Sequence, residues 1–203
     1  MFTKRRRGHF GLHAANNACG RLILNVLDLN FVADTMAREM AAAEHPEVPT
    51  NLHPREIPSS VWDMRKRFRQ SLAGARGGQW LPAVIVRALE QQGNDVERRD
   101  EREFSFDGDE QWLVFGHSKG GGPAAVAVCG ILWLDSRASA PLLVLDKRMP
   151  SSFLPREFYV LRRRTETGAD RARSKGRPRH LQLRAVRVTF TEKGGKLGRD
   201  QVK

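Results

Sequence analysis

Residues 10–20 read Phe10-Gly11-Leu12-His13-Ala14-Ala15-Asn16-Asn17-Ala18-Cys19-Gly20. The stretch predicts a buried helix starting near His9. Gly20 can take the left-handed conformation that closes a helix at its C-cap. The first-turn residue is Phe10, and a polar side chain comes one turn on at His13. Both cysteines of the chain, Cys19 and Cys129, lie in apolar surroundings and read as reduced core thiols of an intracellular protein.

Downstream, Asn25-Val26-Leu27-Asp28 has the form of a helix N-cap. The helix it opens carries Leu29, Val32, Ala33, Met36 and Met40 on one stripe and runs to about Ala43. Prolines 46, 49, 54 and 58 break the next segment into a connector. Ser60 suits a third N-cap, with Val61, Met64, Phe68 and Leu72 inward and Arg65, Lys66, Arg67 and Arg69 as a basic face, read as solvated with nucleic-acid contact as the lesser alternative. Pro82 can start a fourth helix, where its missing N–H costs little, and Gly93 ends it. The pattern then switches to strands at Trp112–Phe115, Ala124–Cys129, Leu132–Asp135 and Leu142–Leu145, with a last one at Phe158–Leu161. Helices followed by strands predict an α+β domain with a mainly antiparallel sheet.

The net charge of +12 is unevenly placed. From Arg162 onward there are fourteen Lys and Arg against four acidic residues, so this segment holds +10 of it. The division expected is a domain over 1–161 and a basic extension over 162–203, partly disordered or ordered by a partner. No stretch of 18 apolar residues suggests a membrane span, and Met1–Arg7 lacks the shape of a signal peptide. No cofactor or metal is expected.

Phe10, His13, Asn16 and Asn17 fall at the four spacings of Cys-x-x-His-x-x-Asn-Asn. That segment resembles the nucleophile helix of the Josephin deubiquitinases, within the papain-like cysteine peptidases. The order of elements is similar over residues 8–161. A helical arm comes next, then Gly77, Gly78 and Trp80 ahead of a helix over Ile85–Gly93. A strand comes where the family has its histidine, and then Trp133-Leu134-Asp135-Ser136 where it has an orienting Asn or Asp. The resemblance implies a papain-like fold with N-terminal helices packed on the sheet. It also implies a site that has lost its chemistry. Such enzymes lower a thiol's pKa at a helix N-terminus and pair it with a distant histidine. Phe10 has no lone pair with which to attack a carbonyl. Arg5 stands where an oxyanion-stabilising glutamine is expected, and Pro123, or its neighbour, stands at the histidine position. Asp135 alone remains as an orienting acid, with no imidazole to orient. His13 and Asn17 are read as structural members of this vestigial site, and His117 as a histidine near enough to weigh.

A rival motif lies at Gly116-His117-Ser118-Lys119-Gly120, which fits Gly-x-Ser-x-Gly after an apolar run. It resembles the nucleophile elbow of α/β-hydrolases, in which a strand-to-helix turn exposes the serine. Asp146 and His180 come later, in the right chain order. The helices before Ser118 and the glycines around Pro123 favour a surface hairpin instead.

In the extension, Arg162, Arg163, Arg164, Arg171, Arg173, Lys175, Arg177 and Arg179 are candidates for phosphate contacts, interrupted by Gly168, Gly176 and Pro178. No aromatic residue lies between Arg162 and Thr189, so base stacking is not its mode. The expected function is that of a non-catalytic pseudoenzyme, a structural or binding subunit of a large assembly such as a ribonucleoprotein particle or a virion. Its partners would be nucleic acid, RNA first, or neighbouring subunits. The alternatives are a reader of ubiquitin-like proteins or a residual cysteine peptidase, and a serine hydrolase using Ser118.

Overall fold

A computed structural model describes residues 9–49, 53, 55–74, 78–138 and 140–163, with the backbone alone at Arg163. Four helices come first: α1 (Phe10–Ala18), α2 (Val26–Glu44), α3 (Ser59–Ala73) and α4 (Pro82–Gln91). Six strands come after them: β1 (Asn94–Arg99), β2 (Gln111–Ser118), β3 (Pro123–Cys129), β4 (Leu132–Asp135), β5 (Leu142–Leu143) and β6 (Phe153–Arg163). They form one sheet in the order β1-β6-β2-β3-β4-β5, every neighbouring pair antiparallel. The α+β class read from the sequence is what the chain adopts.

The sheet buries two faces by different means. Leu113, Phe115, Ala125, Ala127, Leu134, Tyr159 and Leu161 form one cluster with residues of all four helices. On the other face, Trp112, Val114, Val126, Val128, Trp133 and Val160 pack under loop residues Phe106 and Val144. Phe104 meets Phe106, Trp112 and Phe158 there at ring-centroid distances of 4.9, 5.2 and 5.4 Å. Strand alternation sends successive side chains to opposite faces. Both faces are apolar in β2 and β3, which explains their nearly unbroken hydrophobic runs.

Helix α1 is short and buried almost all round: eight of its nine residues are inaccessible, His13 excepted. A helix without a polar face sits inside the structure rather than on it. It packs on β3, β2, β4 and α4. Close approach is possible because of Gly11, where an added Cβ would lie 2.1 Å from Ile85 Cδ1 and 3.5 Å from Phe115 Cε1. Asn25 caps α2 as its sequence predicts: its carboxamide oxygen accepts from Leu27 N (2.7 Å) and Asp28 N (3.1 Å), and Asp28 Oδ2 accepts from Asn25 N (2.8 Å).

Several expectations need correction. Ser60 does not cap α3, which opens at Ser59 after Pro58 with no side-chain cap. Met40 does not join the inward stripe of α2, since it is exposed and the stripe closes with Ala37 and Ala41. Arg65 does not lie on a solvated face of α3, because it is buried. Strand β1, with the polar sequence Asn-Asp-Val-Glu-Arg-Arg, is not foreseen. It is an edge strand, anchored by Asn94 Nδ2 donating to Leu89 O (3.0 Å) and by Val96 against the helix-side cluster. The last strand continues past the expected boundary at Leu161 to Arg163, and the first compact unit ends at Arg164. Arg162 therefore belongs to the sheet, paired with Asp95 of β1 in register.

Candidate functional site

The positions expected to form a vestigial site separate on the two faces of the sheet. Phe10 opens α1 after His9, its ring in the helix-side cluster and only 6% exposed. His9 itself packs on Trp80 at 5.3 Å between ring centroids. Gly78, with φ +86°, lets this happen, since a Cβ there would sit 2.7 Å from His9 Cδ2. The Gly78 and Trp80 positions thus seat the start of α1. Gly77 and Arg5 lie outside the described residues.

Pro123 begins β3 directly opposite His117 of β2. Alternation puts Pro123 with Ala125 and Ala127, and His117 with Leu113 and Phe115, on the face that α1 covers. Phe10, His117 and Pro123 therefore share one side of the sheet. Asp135 does not. It stands opposite Val126 in the β3–β4 pair, and Val126 and Trp133 belong to the other face. Its carboxylate is engaged locally: Arg137 donates through Nη2 to Oδ2 at 2.6 Å, through Nε to Oδ1 at 3.0 Å, and through its backbone N to Oδ1 at 2.9 Å. The carboxylate thus ends β4 and fixes the turn after it.

The amides of α1 are structural. Asn16 Nδ2 donates to Leu24 O, and its Oδ1 accepts from Ile23 N and Leu24 N, each at 3.0 Å. One buried side chain thus satisfies three backbone groups of the segment between α1 and α2. Asn17 is 1% exposed and ranks among the most deeply buried side chains. His13 is half-buried and faces a surface cavity of about 470 Å³, bordered also by His9, Leu12, Asn16 and Leu22. No thiol opens into it. Cys19 sits at the far end of α1, as its C-cap, and burial pushes its pKa up to about 11. Burial raises Cys129 as well. Both thiols are free and favour the protonated, unreactive form.

Ser118 lies in a hairpin, not in an elbow. It ends β2, Gly122 O accepts from its N at 2.9 Å, Gly121 N donates back to Ser118 O at 2.8 Å, and β3 starts at Pro123. The serine hydroxyl's contact is with Gly122 O at 3.4 Å. Asp146 accepts from Arg148 N at 3.3 Å in an exposed turn. His180 lies outside the described residues. Among the described residues, no three His, Cys, Asp or Glu side chains gather as metal ligands. No helix among them is long and apolar enough to cross a membrane.

Of the basic candidates, the side chain of Arg162 alone is described. It is held by Glu110 at 3.2 Å and lies 3.9 Å from Glu97. Arg163 continues β6 in backbone, and Arg164, Arg171, Arg173, Lys175, Arg177 and Arg179 fall outside the described residues. Sequence reasoning placed Arg65 on a basic helix face but missed Trp62 and the groove between α2 and α3. An exposed tryptophan among arginines at helical spacing was the available signal. No protein-family model matches the chain, and no curated protein matches its sequence.

Proposed function

We propose that the chain is a catalytically inert domain of Josephin-like, papain-like design. It would serve as a binding or structural subunit of a larger assembly, with the basic extension engaging nucleic acid. The observation that carries this reading is the burial of Phe10 at the nucleophile spacing. A phenyl ring built into the helix-side core cannot be exchanged for a reactive group by any side-chain movement. Pro123 on the same face supplies no base, and Asp135 is turned to the other face and bound by Arg137. The alternatives lose support for specific reasons. A cysteine peptidase would have to use Cys19 or Cys129, both held protonated by burial. A serine hydrolase would need Ser118 on a strand–turn–helix, and it occupies a β-hairpin.

The arginine-rich extension supplies the other half of the proposal. Guanidinium groups suit phosphate oxygens, and contacts of this kind give sequence-independent, salt-sensitive affinity. The test has two parts on the full chain. A ubiquitin probe with a thiol-reactive C-terminus should leave the protein unlabelled, and fold-dependent labelling at Cys19 or Cys129 would overturn the inert reading. Titration with single-stranded RNA should show affinity falling steeply with salt. A variant with Arg171, Arg173, Lys175, Arg177 and Arg179 replaced by Ser should bind markedly more weakly. Equal affinity would remove the extension from the mechanism.

A further inference from the structure

Helices α2 and α3 lie side by side and leave a groove of about 570 Å³ between Asp34, Ala37 and Arg38 on one side and Trp62, Arg65, Lys66 and Arg69 on the other. On α3 these residues fall at i, i+3, i+4 and i+7, which places them along one face. Trp62 is half exposed at 51%, whereas Trp80, Trp112 and Trp133 are at most 3% exposed. Phe31, 62% exposed, stands on α2 one turn before Asp34 on the same stripe.

The cations of the groove are not equivalent. Arg69 is spent within the fold, with Nη2 on Asn30 Oδ1 at 2.8 Å and Nε on Asp34. Arg38 reaches back along its own helix to Asp34 O and Thr35 Oγ1, both at 3.3 Å. Lys66 has no ion pair among the described residues. Arg65 is the anomaly. It is only 9% exposed in the groove wall, its Nε is sealed from solvent without a hydrogen-bond partner, and it has no ion pair among the described residues. Buried guanidinium groups are ordinarily paired, because an uncompensated charge there is destabilising. Arg65 lines the groove, and its terminal nitrogens are the part that an anion seated there would meet.

We infer that the α2–α3 groove is a binding site for single-stranded nucleic acid, with a base stacked on Trp62 and flanking phosphates on Arg65, Lys66 and Arg38. For the class of partner this rests on the reading proposed above, but it places a contact on the folded domain, at a helix face for which the sequence favoured solvation over nucleic-acid contact. A positively charged groove that interleaves cations with exposed aromatic rings is the arrangement that holds single strands. An acidic peptide suits it less well. Guanidinium forks serve carboxylate and phosphate alike, but the Arg69 fork is already closed by Asp34 and Asn30, and an acidic peptide offers the exposed indole no base to stack. What remains is an indole face and separate positive charges, which match a base and its phosphates.

Trp62 makes the test direct, since the other three indoles are buried. A 12-nucleotide oligo-uridylate added to the full chain should quench tryptophan emission. Trp62→Leu should abolish the quench and weaken binding on the order of ten- to a hundredfold, the worth of one stacked base. Lys66→Ala and Arg65→Met should each reduce the log–log salt slope by about 0.7. Arg65→Met should leave the melting temperature unchanged or raised, because an apolar side chain of similar length replaces a guanidinium whose Nε is buried without a partner. Replacing Arg171, Arg173, Lys175, Arg177 and Arg179 by Ser tests the extension separately. That variant should bind more weakly yet still quench at saturating oligonucleotide. Absence of quenching, or quenching that survives Trp62→Leu, overturns the groove site and leaves the extension's role intact. Displacement of the oligonucleotide by poly-glutamate at equal charge concentration overturns it in favour of an acidic protein partner.

Discussion

Val126 of β3 stands directly opposite Asp135 of β4, and Val126 belongs to the cluster on the sheet face away from the helices. Paired residues of antiparallel strands point to the same side. The carboxylate at the position expected for an orienting acid is thereby turned away from Phe10, and its charge is used to hold Arg137.

A cysteine-peptidase site should therefore be hard to build on this face. Phe10→Cys combined with Pro123→His places a thiol and an imidazole on one face, without a carboxylate to orient them. Loss of the orienting group costs about 10⁴ in kcat in a serine triad. Hydrolysis of a fluorogenic ubiquitin substrate should stay at background. Turnover near that of an intact deubiquitinase would mean that another group orients the histidine. A Phe10→Cys single variant is expected to be silent also, and activity in it that vanished on adding His117→Ala would identify His117 as a base.

The native thiols should be slow and alkaline. With Cys19 raised to about 11 by burial, the thiolate is scarce at neutral pH, and alkylation by iodoacetamide in the folded state should rise only above about pH 9. The sign for stability comes from the same shift. The folded state holds the proton more tightly than the unfolded chain, whose thiol titrates near its ordinary value of 9.0. The contribution is complete below that value and is lost as pH rises from there towards 11. Unfolding midpoints in urea should fall across that interval, and Cys19→Ala should flatten the fall.

Two glycines rank by what they touch. At Gly116, beside the bulge where β2 meets β6, an added Cβ would lie 2.1 Å from Leu154 O, a backbone atom that cannot step aside. At Gly11 the same distance is to Ile85 Cδ1, the tip of a flexible side chain. Gly116→Ala should destabilise by about 3 kcal/mol or more, and Gly11→Ala by roughly 1–3 kcal/mol, the usual cost of overpacking. Chemical denaturation of both variants checks the order. A reversed ranking would mean that the bulge is soft.

Asn16→Ala should cost about 3 kcal/mol, because it orphans the Ile23 and Leu24 amides and the Leu24 carbonyl together. Asn25→Ala removes an exposed cap and should cost about 1 kcal/mol. Thermal melts of the two variants should differ clearly, and equal shifts would argue against a structural role for the α1 amide.

Arg162 should behave unlike the arginines beyond it. Its guanidinium is held by Glu110, so Arg162→Ala should change RNA affinity by less than about twofold. Each charge removed among Arg171, Arg173, Lys175, Arg177 and Arg179 should lower the log–log salt slope by about 0.7. An Arg162 effect as large as theirs would show that the ion pair opens to bind.

Much of the fold was legible because it rests on short-range rules. The Asn25–Asp28 capping box, Pro82 at the start of α4 and the apolar runs of β2, β3 and β4 are properties of neighbouring residues. Strand β1 was hidden because an edge strand with one apolar residue, the partly buried Val96, carries almost no hydrophobic period. Met40 and Arg65 were misassigned because helical spacing defines a stripe but not its edges, and the packing of α3 on α2 decides what is covered.

The sequence alone determined that Phe10 carries no nucleophile and Pro123 no base, since these are facts of side-chain chemistry. It also determined that most of the net positive charge lies beyond residue 161. Only the tertiary structure decided that Asp135 faces away from Phe10, that Ser118 turns a hairpin, and that Arg65 is buried beside an exposed Trp62. Each depends on which elements pack together and, for the strands, on which pairs with which and in what register. A one-residue slip in that register would move every side chain of a strand to the opposite face.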